Sequence, residues 1–405
     1  MRHVVLVAPY AMANTLRYVE ALTQLQGVRA SVISADPAQR FPAGLRERLT
    51  DFEMVGDCFD GAALAAACRR IAARRGSVDR LLGVLEQLQL PVAEARDRAD
   101  IPGMGLELVR RFRDKSVMKA HLRAAGVPCA RYARVEQASD AWNLVAQVGF
   151  PLIVKPVDGL GTRATFRVND REELDHAMAA LRPGPGRPLQ VEEFLLGTEH
   201  SFETVTIDGR PVWSSSTDYI PGPLEAMETP WIQYCVVLPR ETQGMEKFRA
   251  VNHAALAALG MTTGLSHMEW FTRRDGSVAV NEVGARPPGV NIMPMMSICH
   301  GVDMVKAWVR LVSLDQFDPP PRRRAAGSAF FRGQGRGSRV VAVHGVQQAQ
   351  EEVGRYVVEA KLPTIGQPRA DGYEGEGHAV VAADTTEEVM HALARLVRLV
   401  RVELG

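Results

Sequence analysis

Three side chains in this sequence have the type and setting to do chemistry: Lys155, Glu269 and Glu282. Lys155 ends the apolar run Pro151-Leu152-Ile153-Val154, and Pro156 stops that run. Lysine is costly to bury, so one that closes an apolar strand is expected to have an anion waiting for it. The loop that follows, Asp158-Gly159-Leu160-Gly161-Thr162, can bring backbone N–H groups close to a phosphate, because glycine has no Cβ. Arg163 and Thr165 add donors beside it. A nucleotide phosphate is the natural guest. The alternative is a plain strand–turn–strand whose lysine snorkels to water.

Glu269 and Glu282 each interrupt an apolar strand pattern. Leu265, Met268, Trp270 and Phe271 surround the first, and Val278, Val280 and Val283 the second. The turn Arg274-Asp275-Gly276 joins them, which predicts an antiparallel hairpin. Two carboxylates brought together on a sheet repel each other unless a cation bridges them. Such hard oxygen ligands suit Mg²⁺, with phosphates and water completing its shell. Two solvent-facing glutamates on a hairpin are the alternative.

These groups need strands to aim them. Residues 3–8 read as a buried strand, Asn14 to Leu25 as a helix and Val28 to Ser34 as a second strand. That spacing implies a right-handed parallel unit and hence a small doubly wound parallel sheet. A helix over Ala62 to Ala73 and a strand over Asp79 to Gly83 continue it. Asp114 is placed to cap a helix ending near Ala125, where Gly126 and Pro128 stop it. Strands are expected near 131–135, at Lys155, over 164–168 and at Leu189, with helices over 139–148 and 170–181. Further strands are expected at 200–207, 211–216, 265–273 and 277–283, then a helix over 302–314. Beyond the Pro/Arg stretch 318–326, strands near 328–331, 354–358 and 378–382 precede a last helix, 386–400.

At 405 residues the chain is too long for one ordinary core, and 46% hydrophobic with 23% charged residues is the balance of a soluble globular protein. A net charge of +1 argues against nucleic acid as a partner. The basic run Arg322-Arg323-Arg324 reads as a solvated linker. Five cysteines without a CxxC or clustered histidines fit a reducing cytoplasm, with neither a disulfide framework nor a zinc site. Arg2-His3 before VVLVA faintly suggests a signal peptide, but Pro9-Tyr10 breaks the run, and a first strand is the better reading. No run approaches the roughly 20 apolar residues of a membrane span.

Four segments occur in an order that resembles the ATP-grasp superfamily: RDKSVMKAHLRAAGVPCARY from Arg113, GFPLIVKPVDGLGTRAT from Gly149, LQVEEFLLGTEHSF from Leu189 and HMEWFTRRDGSVAVNEVGARPPG from His267. Within it the chain is similar to the carboxylate–amine ligases, including L-amino-acid ligases that make dipeptides. The resemblance implies an α/β ATP-grasp fold. Residues 1–112 would be an N-terminal pre-ATP-grasp domain, 113–320 the ATP-grasp domain with a mobile lid of about 124–194, and 321–405 a C-terminal α+β subdomain.

The resemblance also implies ATP and Mg²⁺ as cofactors, with Mn²⁺ as a substitute, and site residues one by one. Lys115 and Lys155 would hold the α- and β-phosphates, with Gly159, Gly161 and Thr162 in the loop. Arg163 would reach the γ-phosphate or the substrate carboxylate. Glu192, Glu193, Phe194 and Leu195 would form the strand along the adenine edge, read through its backbone, and Glu199 would bind the ribose hydroxyls. Glu269 and Glu282 would hold the metal. Arg286 would steady the acyl-phosphate and the tetrahedral intermediate. One departure stands out, since many members carry Asn two residues after the second glutamate and this chain has Gly284; Asn281 is a candidate replacement.

The implied reaction phosphorylates a small carboxylate with ATP and joins it to an amine, giving an amide or dipeptide with ADP and phosphate. Such a ligase would be cytoplasmic, free of membrane and nucleic acid, and compatible with a homodimer. Two other readings stand beside it. One is a biotin-carboxylase-like or purine-type carboxylase, although no Ala-Met-Lys-Met biotin-attachment segment is visible. The other is a non-catalytic ATP-binding regulatory protein. Tyr10, Glu86, Trp231, Tyr234 and Asn291 are candidates for substrate recognition, His267 could face the metal pair, and Met293, Met295 and Met296 would be core or pocket wall.

Overall fold

The computed structural model describes residues 1–157, 165–229, 232–241 and 244–405. At the N-terminus four parallel strands, Arg2–Val7, Val28–Ser34, Asp51–Met54 and Arg80–Gly83, form a sheet in the spatial order third, second, first, fourth. Its first strand is apolar without alternation because both faces are covered. Val4 and Leu6 share a core with Tyr18, Val19 and Leu22 of the helix Ala13–Thr23. Val5 and Val7 share another with Leu64, Ala67 and Ile71 of the helix Gly61–Arg75. Asp60 caps that second helix by accepting from the Ala62 and Ala63 N–H groups.

The segment expected to be the lid is a small unit with its own core. Strands Tyr132–Val135, Leu189–Glu193, Leu152–Pro156 and Phe166–Val168 form an antiparallel sheet in that spatial order. Helices Ala138–Val148 and Arg171–Leu181 contribute Leu144, Leu174 and Met178 to a core with Leu152, Val154 and Val191. The Lys155 strand is central, so its backbone is hydrogen-bonded on both edges and its lysine is held in a fixed direction.

Among the described residues, eight further strands make one antiparallel sheet. It runs Val278–Gly284, Gly264–Arg273, Gly197–Ile207, Arg210–Ile220, Tyr234–Leu238, Ala325–Phe331, Gly377–Ala383 and Val357–Lys361. The expected division at 320/321 falls inside this sheet, because Ala325–Phe331 pairs directly with Tyr234–Leu238. The helix Thr386–Leu399 covers the C-terminal strands through Val389, Leu393 and Leu396. A three-stranded sheet of Gly333–Gln334, Arg401–Leu404 and Val340–His344 completes that end. The strand expected over 354–358 is displaced to Val357–Lys361, because residues 354–356 close a 3₁₀ turn first. The three methionines belong to a buried helix, Ile292–His300. Among the described residues no helix is long and apolar enough to cross a membrane.

Candidate active site

One cleft of about 180 Å³ gathers most of the sequence-predicted residues. The lid supplies Lys155, Glu192, Glu193, Phe194 and Leu195. The long sheet supplies Glu199, Glu269, Asn281 and Glu282, and Arg286 follows its edge strand. Lys115 enters from the start of the helix Lys115–Ala124, which Asp114 caps by accepting from the Ser116 and Val117 N–H groups. Gly159, Gly161, Thr162, Arg163 and Trp231 lie outside the described residues.

Lys155 is buried and does have its anion, which is a protein carboxylate. Its Nζ lies 2.5 Å from Glu192 Oε1, while Lys119 Nζ lies 2.7 Å from Glu192 Oε2. Gln190 Nε2 donates to the same carboxylate at 2.9 Å. Burial would raise the Glu192 carboxyl, but Lys119 and Lys155 overcome that and hold it at about 2. Burial would likewise lower Lys155, and Glu192 and Glu282 hold it above its ordinary value. Sequence reasoning assigned Glu192 a backbone role only, whereas its side chain is the counter-ion that keeps two buried lysines charged.

The rest of the hinge is arranged by polar clamps. Glu193 accepts from Arg273 at 3.1 Å, and Phe194 lies under the Arg167 guanidinium, 4.4 Å from the ring centroid. The Phe194 N–H donates to the Pro151 carbonyl. Gly197 opens the next strand where a Cβ would meet the Thr272 carbonyl oxygen at 2.1 Å, so only glycine allows this approach. Two residues on, Glu199 is buried in the cleft. Burial first, and then the charge of Glu269, push its carboxyl well above the ordinary range.

Glu269 and Glu282 face each other as direct cross-strand partners, as the hairpin reading expects. The pairing register shifts at this point, with Asn281 as the extra residue between Glu282 and Val280. A bulge of this kind turns two successive residues toward one side. Asn281 and Glu282 therefore both line the cleft, and Asn281 Nδ2 lies 3.5 Å from Glu269 Oε2. The nearest atoms that a Cβ on Gly284 would meet belong to the Arg286 side chain and the His267 carbonyl, at 3.6 Å and beyond. The missing asparagine thus leaves room beside Arg286, and the amide in the site comes from Asn281.

Cations steady both glutamates. Lys115 Nζ is 3.0 Å from Glu282 Oε1. Burial would raise the Glu282 carboxyl, but Lys115 and Lys155 hold it below the usual value. His267 Nε2 stands 3.6 Å from Glu269 Oε1, and its Nδ1 is 2.8 Å from the buried Glu203. Burial would lower His267, yet its bonds to Glu203 and Glu269 raise it to about 9. Ser201 and Thr217 hydroxyls donate to Glu203 at 2.7 and 3.0 Å. Sequence reasoning missed Glu203, although it interrupts the apolar pattern of Phe202 and Val205 just as Glu269 interrupts its own strand.

Arg286 meets Glu86 of the N-terminal domain, with Nη2 and Nε at 2.6 and 2.9 Å from Oε2. Arg113 pairs with the other oxygen of Glu86. Of the recognition candidates, Glu86 lines the cleft, while Tyr234 is packed against Phe330 and Tyr373. Asn291 donates to Ser328 at 3.2 Å instead, and Tyr10 is exposed. Tyr219, Tyr373 and Glu374 line the cleft and were not anticipated. Among the described residues no group of three or more His, Cys, Asp or Glu side chains is placed to hold a metal ion.

Residues 120–290 match the ATP-grasp domain family. This segment is an ATP-grasp domain. The match spans the sheet that carries Lys155, the strand Leu189–Glu193 and the paired Glu269 and Glu282. The carbamoyl phosphate synthase large chain of Methanothermobacter thermautotrophicus is 27% identical over 231 residues, 56% of this chain and 21% of its own length. The L-arginine-specific L-amino acid ligase of Bacillus subtilis is 25% identical over 229 residues, 55% of this chain and 54% of its own length. The chain thus matches about a fifth of the first relative and about half of the second. Across the whole chain, the ATP-grasp fold is shared with the L-amino acid ligase of Bacillus licheniformis, at a TM-score of 0.77 and 19% identity, covering 100% of this chain and 99% of that one.

Proposed function

We infer that the protein is an ADP-forming carboxylate–amine ligase that phosphorylates a small carboxylate with ATP and joins it to an amine. The observation that carries this reading is the meeting of Lys115, Lys155, Glu269, Glu282 and Arg286 around one cleft of an ATP-grasp domain. Both lysines are buried and already ion-paired, so a triphosphate entering the cleft takes over charges that Glu192 and Glu282 now balance. The acidic pair, short of a third protein ligand, fits a Mg²⁺ ion whose other ligands are phosphate oxygens and water. Bound there, the metal would neutralise charge on the transferring phosphoryl group.

Each side chain has a distinct task. Lys115 holds Glu282 in place and is within the cleft to meet phosphate oxygen. His267, protonated and braced by Glu203, restrains Glu269 through its ring. Glu199, with its carboxyl raised, can donate to or accept from a sugar hydroxyl. Arg286 is oriented by Glu86 toward the end of the cleft, where it can steady the oxyanion that forms as the amine attacks. The substrate class, small carboxylates with amino acids foremost, rests on the likeness to the two L-amino acid ligases.

A screen of amino-acid pairs for phosphate release, with mass spectrometry of the products, tests this. Phosphate release that requires both a carboxylate and an amine, with the matching amide formed, is the expected result. ATP turnover that no carboxylate or amine stimulates would overturn it.

A further inference from the structure

The arginine run at 322–324 reads in the sequence as a solvated linker, yet Arg322 turns inward. Its guanidinium donates to the Pro239 carbonyl, the Ser215 hydroxyl and, at 3.4 Å, the Ser216 carbonyl. All three acceptors are neutral, and among the described residues no carboxylate pairs with it. Beside it lies a cavity of about 190 Å³ whose polar lining includes Ser215, Ser216, Arg249, His300 and Arg322.

Two further groups in that wall are buried without partners. His300 is 2% exposed, and neither ring nitrogen makes a hydrogen bond; the Ser216 hydroxyl, on a residue 5% exposed, makes none either. The Pro320 and Pro321 carbonyls lie near the imidazole but outside regular hydrogen-bond geometry. Trp213 stands edge-on to His300 at 4.9 Å, its indole N–H fixed on the Pro320 carbonyl at 3.1 Å. Buried polar groups are normally satisfied, and a buried cation normally has a counter-charge. Here one absent guest would answer all three needs. An arginine fork, a second arginine at the exposed rim, an imidazole and a hydroxyl are the donor set for an oxyanion.

The geometry points to a binding site for a small oxyanion, a phosphate or a carboxylate, held by Arg322, Arg249, His300 and Ser216. It shares no lining residue with the cleft of Lys155, so it stands independently of the catalytic reading. It is nevertheless joined to that cleft, since Ser215 is the cross-strand neighbour of Glu203, the brace of His267. Burial first, and then the Arg322 charge, hold His300 down at about 4. The charged groups around the cavity are Arg249 and Arg322, with Glu203, Asp218 and Glu241 acting on Arg322 from further away. A bound oxyanion offsets the arginine, so His300 takes up a proton more readily when the site is filled.

The test follows the His300 ring resonances of the full-length protein by NMR, assigned with His300→Gln. Inorganic phosphate and acetate are the probes, and potassium chloride at matched ionic strength is the control. A saturable rise in the His300 pKa with one or both anions, absent with chloride, is expected. Phosphate alone, acetate alone or both will identify the guest as phosphate, carboxylate or oxyanions in general. Arg322→Gln should weaken binding at least about tenfold, the loss of one charge-assisted contact. Arg249→Gln, at an exposed position that leaves the fold intact, should weaken it several-fold. No saturable response in the folded wild type, or a response undiminished in both variants, would overturn the proposal.

Discussion

Glu192 carries more of the site's electrostatics than its place in a hinge suggests. It balances Lys155 and Lys119, so Glu192→Gln leaves two buried ammonium groups without their shared counter-ion. Breaking a buried pair in this way costs about 3–5 kcal/mol, and urea unfolding of the variant should show a loss of that order. The pH dependence has a definite sign. The folded carboxyl titrates at about 2, below its ordinary 4.5, so its stabilisation is present above 4.5 and fades as pH falls through 2. A wild type less sensitive to acid than Glu192→Gln in that window would contradict the assignment. Glu282→Gln removes one ligand charge from the proposed metal pair, and activity should fall about a hundredfold; wild-type turnover at saturating Mg²⁺ would exclude the pair as the metal site. Sequence alone showed that Lys155 needs an anion, but not which one. The partner lies on a neighbouring strand, and cross-strand pairing is set by tertiary register that a one-dimensional pattern does not contain. Glu203 was legible by the same apolar interruption that revealed Glu269, while its bond to His267 was not.

At the level of elements, two devices aim the site. The bulge at Asn281 turns two adjacent residues into one cleft, and the central position of the Lys155 strand fixes the lysine against the hinge. Because the lid has its own core, it can move as a unit when nucleotide is gripped. Hydrogen exchange in Leu152–Pro156, Phe166–Val168 and Leu189–Glu193 should therefore slow when ATP and Mg²⁺ saturate the protein. Unchanged exchange in all three strands would remove the lid from phosphate binding. Elements with clear periodicity or caps were readable, such as the helix that Asp114 starts and the glutamate hairpin. Tyr234–Leu238 was not, because a short run buried on every side has no alternation to betray a strand. Ile292–His300 hid for a similar reason, being a short helix that is apolar on most of its surface.

At the level of the whole molecule, the cleft draws on distant parts of the chain. Glu86 comes from the N-terminal domain and orients Arg286 of the ATP-grasp half, with Arg113 on its other oxygen. Phosphorylation of a carboxylate breaks the β–γ bond, so ADP and phosphate should accumulate in step with amide. AMP as the stoichiometric nucleotide product would sink the acyl-phosphate mechanism. Arg286→Ala should lower kcat while ATP affinity stays nearly unchanged, since the task proposed for it lies in the transition state. Loss of ATP binding with kcat retained would refute that role alone. The proline- and arginine-rich stretch has the composition of a linker, and here it joins the helix Met304–Leu314 to the strand Ala325–Phe331 inside the long sheet.

That join bears on how the protein is made. Strand Tyr234–Leu238, buried at every residue, leaves the ribosome long before its neighbour Ala325–Phe331 is translated. At about 5–20 residues per second the wait is roughly 5–20 seconds. The N-terminal sheet and the lid draw their partners from nearby sequence and can form during synthesis. The long sheet meanwhile presents an unpaired apolar edge, the kind of surface that recruits other chains. A nascent chain that has passed the first of these strands but not reached the second therefore carries that edge uncovered throughout the interval.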